Sequence, residues 1–89
     1  MKFLICLLLS FSAFASALPK DVSTFIERRE ICDHFRGEES QDPERKKFIE
    51  LKLKEFCTGS DKALADLRKK YKNNNDVTRA LFNFDGRIE

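Results

Sequence analysis

The chain is 89 residues long and carries 17 Lys and Arg against 15 Asp and Glu, so it is densely charged yet nearly neutral. That balance excludes a global pull towards nucleic acid, and the length allows one small domain whose core needs reinforcement. Two of the three cysteines lie beyond residue 17 and make a disulfide the natural reinforcement for an exported chain.

Residues 1–17 read as a secretory signal peptide. Lys2 precedes an apolar run from Phe3 to Leu9, which continues through Phe11, Ala13 and Phe14 to Ala15-Ser16-Ala17, an A-x-A cleavage site. The run is short for a membrane span and is followed by Pro19, Lys20 and Asp21, so no stable membrane anchor is expected after cleavage. Cys6 leaves with the signal. The single domain expected is 18–89, with a net charge of +1 once Lys2 is gone.

The domain reads as all-α, a small irregular bundle of three to four short helices with one disulfide. The first helix is expected from about Ser23 to Arg36. Val22, Phe25, Ile26 and Cys32 recur near helical spacing, Thr24-x-x-Glu27 offers a capping box, and Gly37 is placed to end the helix with a positive φ. Ile31 and Phe35 widen the apolar stripe of this helix, which makes it central. Gly37 to Asp42 is a polar linker. Asp42-Pro43-Glu44 starts a second helix, about Pro43 to Cys57, with Ile49, Leu53, Phe56 and Cys57 on one face, Phe48 and Leu51 off it, and Glu50 paired to Lys54.

Gly59 closes the second helix and Ser60-Asp61 opens a third, with Ala63, Leu64, Leu67 and Tyr71 on its inner face and Asp66 paired to Lys70. Asn73-Asn74-Asn75 breaks it, and a shorter fourth helix begins near Asp76 on the repeat Val77, Ala80, Leu81, Phe84 and frays at Asp85-Gly86. No stretch alternates with a period of two, so no strand is expected.

Cys32 and Cys57 are expected to be joined. Both lie near the C-terminal ends of their helices, an arrangement that a tight antiparallel hairpin does not suit. The second helix carries the chain roughly 22 Å, and the six-residue linker spans about 20 Å at most. Closure requires a linker extended back along the helices or a shorter second helix, so an irregular, non-parallel packing is expected, with Gly37 to Asp42 stretched over the surface. The bond closes a loop of about 26 residues and contributes about 3 to 4 kcal/mol on the chain-entropy estimate.

Catalysis finds little support. The domain has one histidine, its cysteines consume each other, and no G-x-S-x-G, H-E-x-x-H or P-loop pattern occurs. Glu30 and His34, with Glu38 and Glu39 beyond, are the nearest approach to a metal site, but His34 is better read as pairing with Glu30 or with the last carbonyls of its helix. Neither metal nor cofactor is expected. Arg45-Lys46-Lys47 and Arg68-Lys69-Lys70 with Lys72 are basic clusters diluted by neighbouring acids and read as solvated faces.

Three segments carry a resemblance: Phe25-Ile26-Glu27-Arg28-Arg29, Cys32-Asp33-His34-Phe35-Arg36-Gly37-Glu38, and Cys57-Thr58-Gly59-Ser60-Asp61. Together they resemble a family of short exported bacterial proteins to which no activity is attached. The resemblance implies a periplasmic location and no catalytic residues. In general build the chain is also similar to periplasmic acid-stress chaperones and to immunity proteins, a likeness of fold alone. The expected role is a periplasmic or secreted, non-enzymatic, protein-binding module. Ile31, Phe35, Phe48, Leu51 and Phe82 fall off the inner faces and form the candidate binding surface. A metal-binding or acid-stress envelope protein and a purely structural envelope component are the alternatives.

Overall fold

The computed structural model describes residues 18–89, so the signal-peptide reading of 1–17 lies outside the described residues. Among the described residues there are four helices and no strand: α1 (Lys20–Arg36), α2 (Pro43–Cys57), α3 (Ser60–Lys70) and α4 (Asn75–Leu81). The all-α class and the single disulfide stand as read from the sequence.

α1 begins three residues earlier than its periodicity indicated. Pro19 sits at the N-cap with φ −57°, and its carbonyl accepts the Ser23 N–H at 3.0 Å. Proline has no N–H to strand and its φ is already set for the turn, so it outcompetes the downstream signal. Thr24 and Glu27 are therefore inside the helix and cap nothing. The other end also differs: Gly37 has φ −91°, and its N–H continues the ladder to the Asp33 carbonyl at 3.2 Å. The helix tapers out without needing glycine's left-handed freedom.

α2 keeps its expected bounds because Asp42 caps the Glu44 N–H at 3.3 Å and Pro43 occupies the first position. Between α2 and α3 the chain turns on Gly59, whose φ of +81° is the only positive φ among the described residues. Nothing lies within 4 Å of a Cβ built there, so the backbone angle alone selects glycine. α4 is capped by the Asn74 side chain, which accepts from the Asp76 and Val77 N–H groups at 3.1 and 3.2 Å. Two helical ion pairs shift register: Lys52 pairs with Glu55 in place of Glu50 with Lys54, and Asp66 pairs with Lys62, leaving Lys70 to reach Asp21.

The core is Val22 and Phe25 from α1, Leu64 from α3, and Val77 and Leu81 from α4. Ile26, Ala63, Leu67, Tyr71 and Phe84 close around it, and Phe84 meets Phe25 edge-on at 5.7 Å between ring centres. α1 is central, as its wide stripe indicated: its first half serves this core and its second half faces α2. α2 itself buries only Ile49 and is fastened to α1 by the Cys32–Cys57 bond, with Cα atoms 5.1 Å apart, together with the side-chain contacts along their seam.

The relation of α1 to α2 corrects the objection to a hairpin. Arg28 meets Glu55 and Phe56, Cys32 meets Cys57, Phe35 meets Phe48, and Glu38 meets Arg45, so the helices run in opposite directions. From Arg28 to Phe35 α1 advances seven residues while α2 advances eight from Phe56 to Phe48, so these side chains pair as in an antiparallel hairpin. The Cys32–Cys57 bond is offset from that register, with Cys32 about one turn beyond Arg28 on α1.

Candidate functional site

The seam between α1 and α2 is lined by alternating cations and rings. Arg28 lies over Phe56 at 5.3 Å, Lys52 contacts Phe56 and Phe48 at 5.7 and 5.4 Å, and Arg45 lies over Phe48 and Phe35 at 4.9 and 6.0 Å. Phe35 and Phe48 also meet at 5.8 Å, with their planes 72° apart. The helical period sets the α2 half of this ladder, since Phe48, Lys52 and Phe56 are four apart and share a face. A cation over a ring at an exposed site contributes about 0.5–1 kcal/mol. Five such contacts favour these ring orientations on the surface.

Beside the ladder, Ile31, His34, Phe35 and Phe56 line a shallow depression of about 670 Å³ bordered by Glu27 and Glu30. Ile31 is 38% exposed and Phe48 39%, while Leu51, one turn beyond Phe48, is 60% exposed. Phe35 is half-buried. Four of the five predicted surface residues thus lie on the α1–α2 side of the molecule. Phe82 does not join them: it follows α4 and borders depressions lined by α3 and α4.

His34 is largely exposed, and its Nε2 lies 3.6 Å from a carboxylate oxygen of Glu38, not Glu30. Glu38 belongs first to Arg45, whose Nε and Nη2 donate to both its carboxylate oxygens, Nη2 at 2.8 Å. This fork holds the Glu38 carboxyl below its usual range and raises the Arg45 guanidinium. A carboxylate already neutralised in this way is a poor metal ligand. Among the described residues no three His, Cys, Asp or Glu side chains converge in a manner that could hold a metal ion.

Sequence patterning passed over Arg29. It is 1% exposed and lies on the inner stripe of α1 between Phe25 and Cys32. Its Nε donates to Asp33 at 3.0 Å, Nη1 to the Ser60 hydroxyl at 3.1 Å, and Nη2 to the Asp85 carbonyl, with the Phe84 ring 5.6 Å from Cζ. One side chain therefore ties α1 to the start of α3 and to the segment after α4. The position was visible as the missing member of the 22, 25, 29, 32 spacing. Arg28 of the ladder had no such signal, because its ring comes from α2; Arg45 lies three residues before Phe48 on the same helix, but its contact with Phe35 comes from α1.

No family model, curated protein or solved structure matches this chain. The inference to function rests on the seam's own chemistry.

Proposed function

We propose that this protein is a non-enzymatic binding module, working in an oxidising compartment such as the bacterial periplasm, whose protein partner docks on the α1–α2 seam. The observation that carries the reading is the exposure of Ile31, Phe48 and Leu51 on two helices whose Phe35 and Phe48 rings meet, held by a disulfide and a set of cation–ring contacts. An apolar surface of ordered rings binds with little loss of side-chain freedom, and aromatic and Arg side chains dominate interface energetics. The Cys32–Cys57 bond supports an oxidising location, and the composition of residues 1–17 supports export. The single histidine of the domain is paired to a carboxylate that Arg45 already neutralises, which supports the non-enzymatic reading over the metal-binding alternative.

A photo-reactive amino acid at Leu51, with a control at Lys62 on α3, tests the proposal in the living cell envelope. A discrete protein adduct is expected from position 51 and not from position 62. Excess wild-type protein should compete it away, and a Phe48→Ser, Leu51→Ser variant should not. Equal labelling from the two positions, or no adduct at 51, rejects the seam as a docking surface.

A further inference from the structure

Phe82 is 76% exposed, more than any other large apolar side chain among the described residues. It stands at the C-terminal end of α4 between two depressions of about 420 and 410 Å³. Arg68, Tyr71 and Lys72 line the first; Asn75, Arg79 and Asn83 line the second. Neither has a carboxylate in its lining, in a chain with 15 Asp and Glu. The groove between α1 and α3 is lined by Asp21 and Asp66, and the depression over Ile31 by Glu27 and Glu30.

The cations around Phe82 are also unspent. Among the described residues, Arg68, Lys72 and Arg79 form no ion pair within 4 Å. Arg68 donates instead to the carbonyls of Leu81 and Phe84 at 3.0 and 2.8 Å, which fixes it beside the ring without cancelling its charge. Tyr71 is the aromatic that the sequence placed next to the basic cluster, but its hydroxyl is turned to Asp21 at 2.9 Å and its ring packs on the core. Phe82, contributed by the next helix, supplies the exposed ring instead.

We infer that the Phe82 face is a peripheral docking site for anionic phospholipid. A ring that projects from the surface, flanked by long cationic side chains, matches a lipid headgroup layer, where the ring enters below the phosphates and the cations stay at their level. An acidic peptide could seat its side chains in the two flanking depressions, but that mode leaves the 76% exposed ring between them unoccupied, whereas insertion into a headgroup layer accounts for it. Three cations and one ring give reversible adsorption, and no helix among the described residues is long and apolar enough to cross a membrane. The site lies apart from the α1–α2 seam, so docking of lipid leaves the seam free.

The test is co-sedimentation of the purified exported protein with vesicles of phosphatidylcholine alone, or of equal parts phosphatidylcholine and phosphatidylglycerol, at low and high salt. Binding is expected only to the phosphatidylglycerol vesicles and should fall with salt. Arg79→Gln should weaken it about five-fold and Phe82→Ser about ten-fold, while Lys62→Gln at the other end of α3 should leave it unchanged. All three side chains are exposed, and unaltered circular dichroism would establish that the variants remain folded. Absence of phosphatidylglycerol-dependent binding overturns the inference. So does a Phe82→Ser variant that binds as wild type, or a loss from Lys62→Gln equal to that from Arg79→Gln. Binding to heparin with the same dependence on Phe82 would show a polyanion site and overturn the lipid reading.

Discussion

Arg29 carries more of the architecture than any other single side chain. Its guanidinium is removed from water, yet its partners are a carboxylate, a hydroxyl and a main-chain carbonyl on three different segments. Asp33 is also held by Arg36 at 2.8 Å and is partly exposed, so deleting Arg29 does not strand that carboxylate. What is lost is the packing on Phe84 and the donors to Ser60 and Asp85. Arg29→Ala should lower the unfolding free energy by about 3 kcal/mol, and Arg29→Met, which refills the volume, by about 1–2 kcal/mol. Urea denaturation measures both. A loss below about 1 kcal/mol for the alanine variant would make Arg29 a bystander. Counting apolar residues put Ile26 on the inner stripe and skipped Arg29, because a charge at a core position is only intelligible once its distant partners are known. Phe48 and Leu51 were legible as surface residues for the opposite reason: helical phase alone sets them aside.

At the scale of elements, the start of α3 and the end of the chain clamp each other. The Asp61 carboxylate accepts the N–H groups of Ile88 and Glu89 at 2.9 and 3.0 Å, while the Glu89 carboxylate accepts those of Gly59 and Asp61, both at 2.9 Å. The main-chain donors from Ile88 and Glu89 hold the Asp61 carboxyl below its ordinary range. Asp21, held by Lys70 and Tyr71, and Glu38, held by Arg45, are lowered too. A carboxyl with a depressed folded value stabilises the fold above its unfolded value and loses that contribution as pH falls through the folded one. Stability should therefore decline as pH drops below about 4, and Asp61→Asn should shallow the decline while lowering stability at neutral pH. Thermal unfolding across an acid series reads this out, and an unchanged slope in the variant would remove Asp61 from the acid response. The clamp was not legible in the sequence, since it joins positions 28 residues apart through loops. The bounds of α2 and the starts of α3 and α4 were legible because Asp42-Pro43, Gly59-Ser60 and the Asn73-Asn74-Asn75 break are unopposed signals, whereas α3 and α4 end earlier than expected, at Lys70 and Leu81. α1 had two competing starts, and Pro19 prevailed over Thr24.

For the whole molecule, the disulfide divides the labour between two halves of unequal strength. α1, α3 and α4 share the core, whereas α2 contributes one buried residue and depends on Cys57. Thiol titration of the denatured, unreduced protein should find no free thiol from Cys32 or Cys57. Reduction should cost about 3 kcal/mol, and amide exchange should accelerate in α2 well before α3. Uniform acceleration across all four helices would show that α2 is not separately secured. The pairing was legible from the even count of cysteines beyond residue 17, while the register of α2 on α1 was not, because it depends on how Phe35, Phe48 and Arg45 pack.

Joined at Cys32 and Cys57, the described chain is a ring with two tails, and the exposed linker of residues 37–42 lies within the ring. A break there opens the ring without dividing the molecule. The severed helices remain tethered at their point of closest approach, at the high effective concentration of an intramolecular pair. Continuity of the backbone and integrity of the α1–α2 seam are thus separable, and of the connections in this fold, this is the one that a protease could cut without releasing either half.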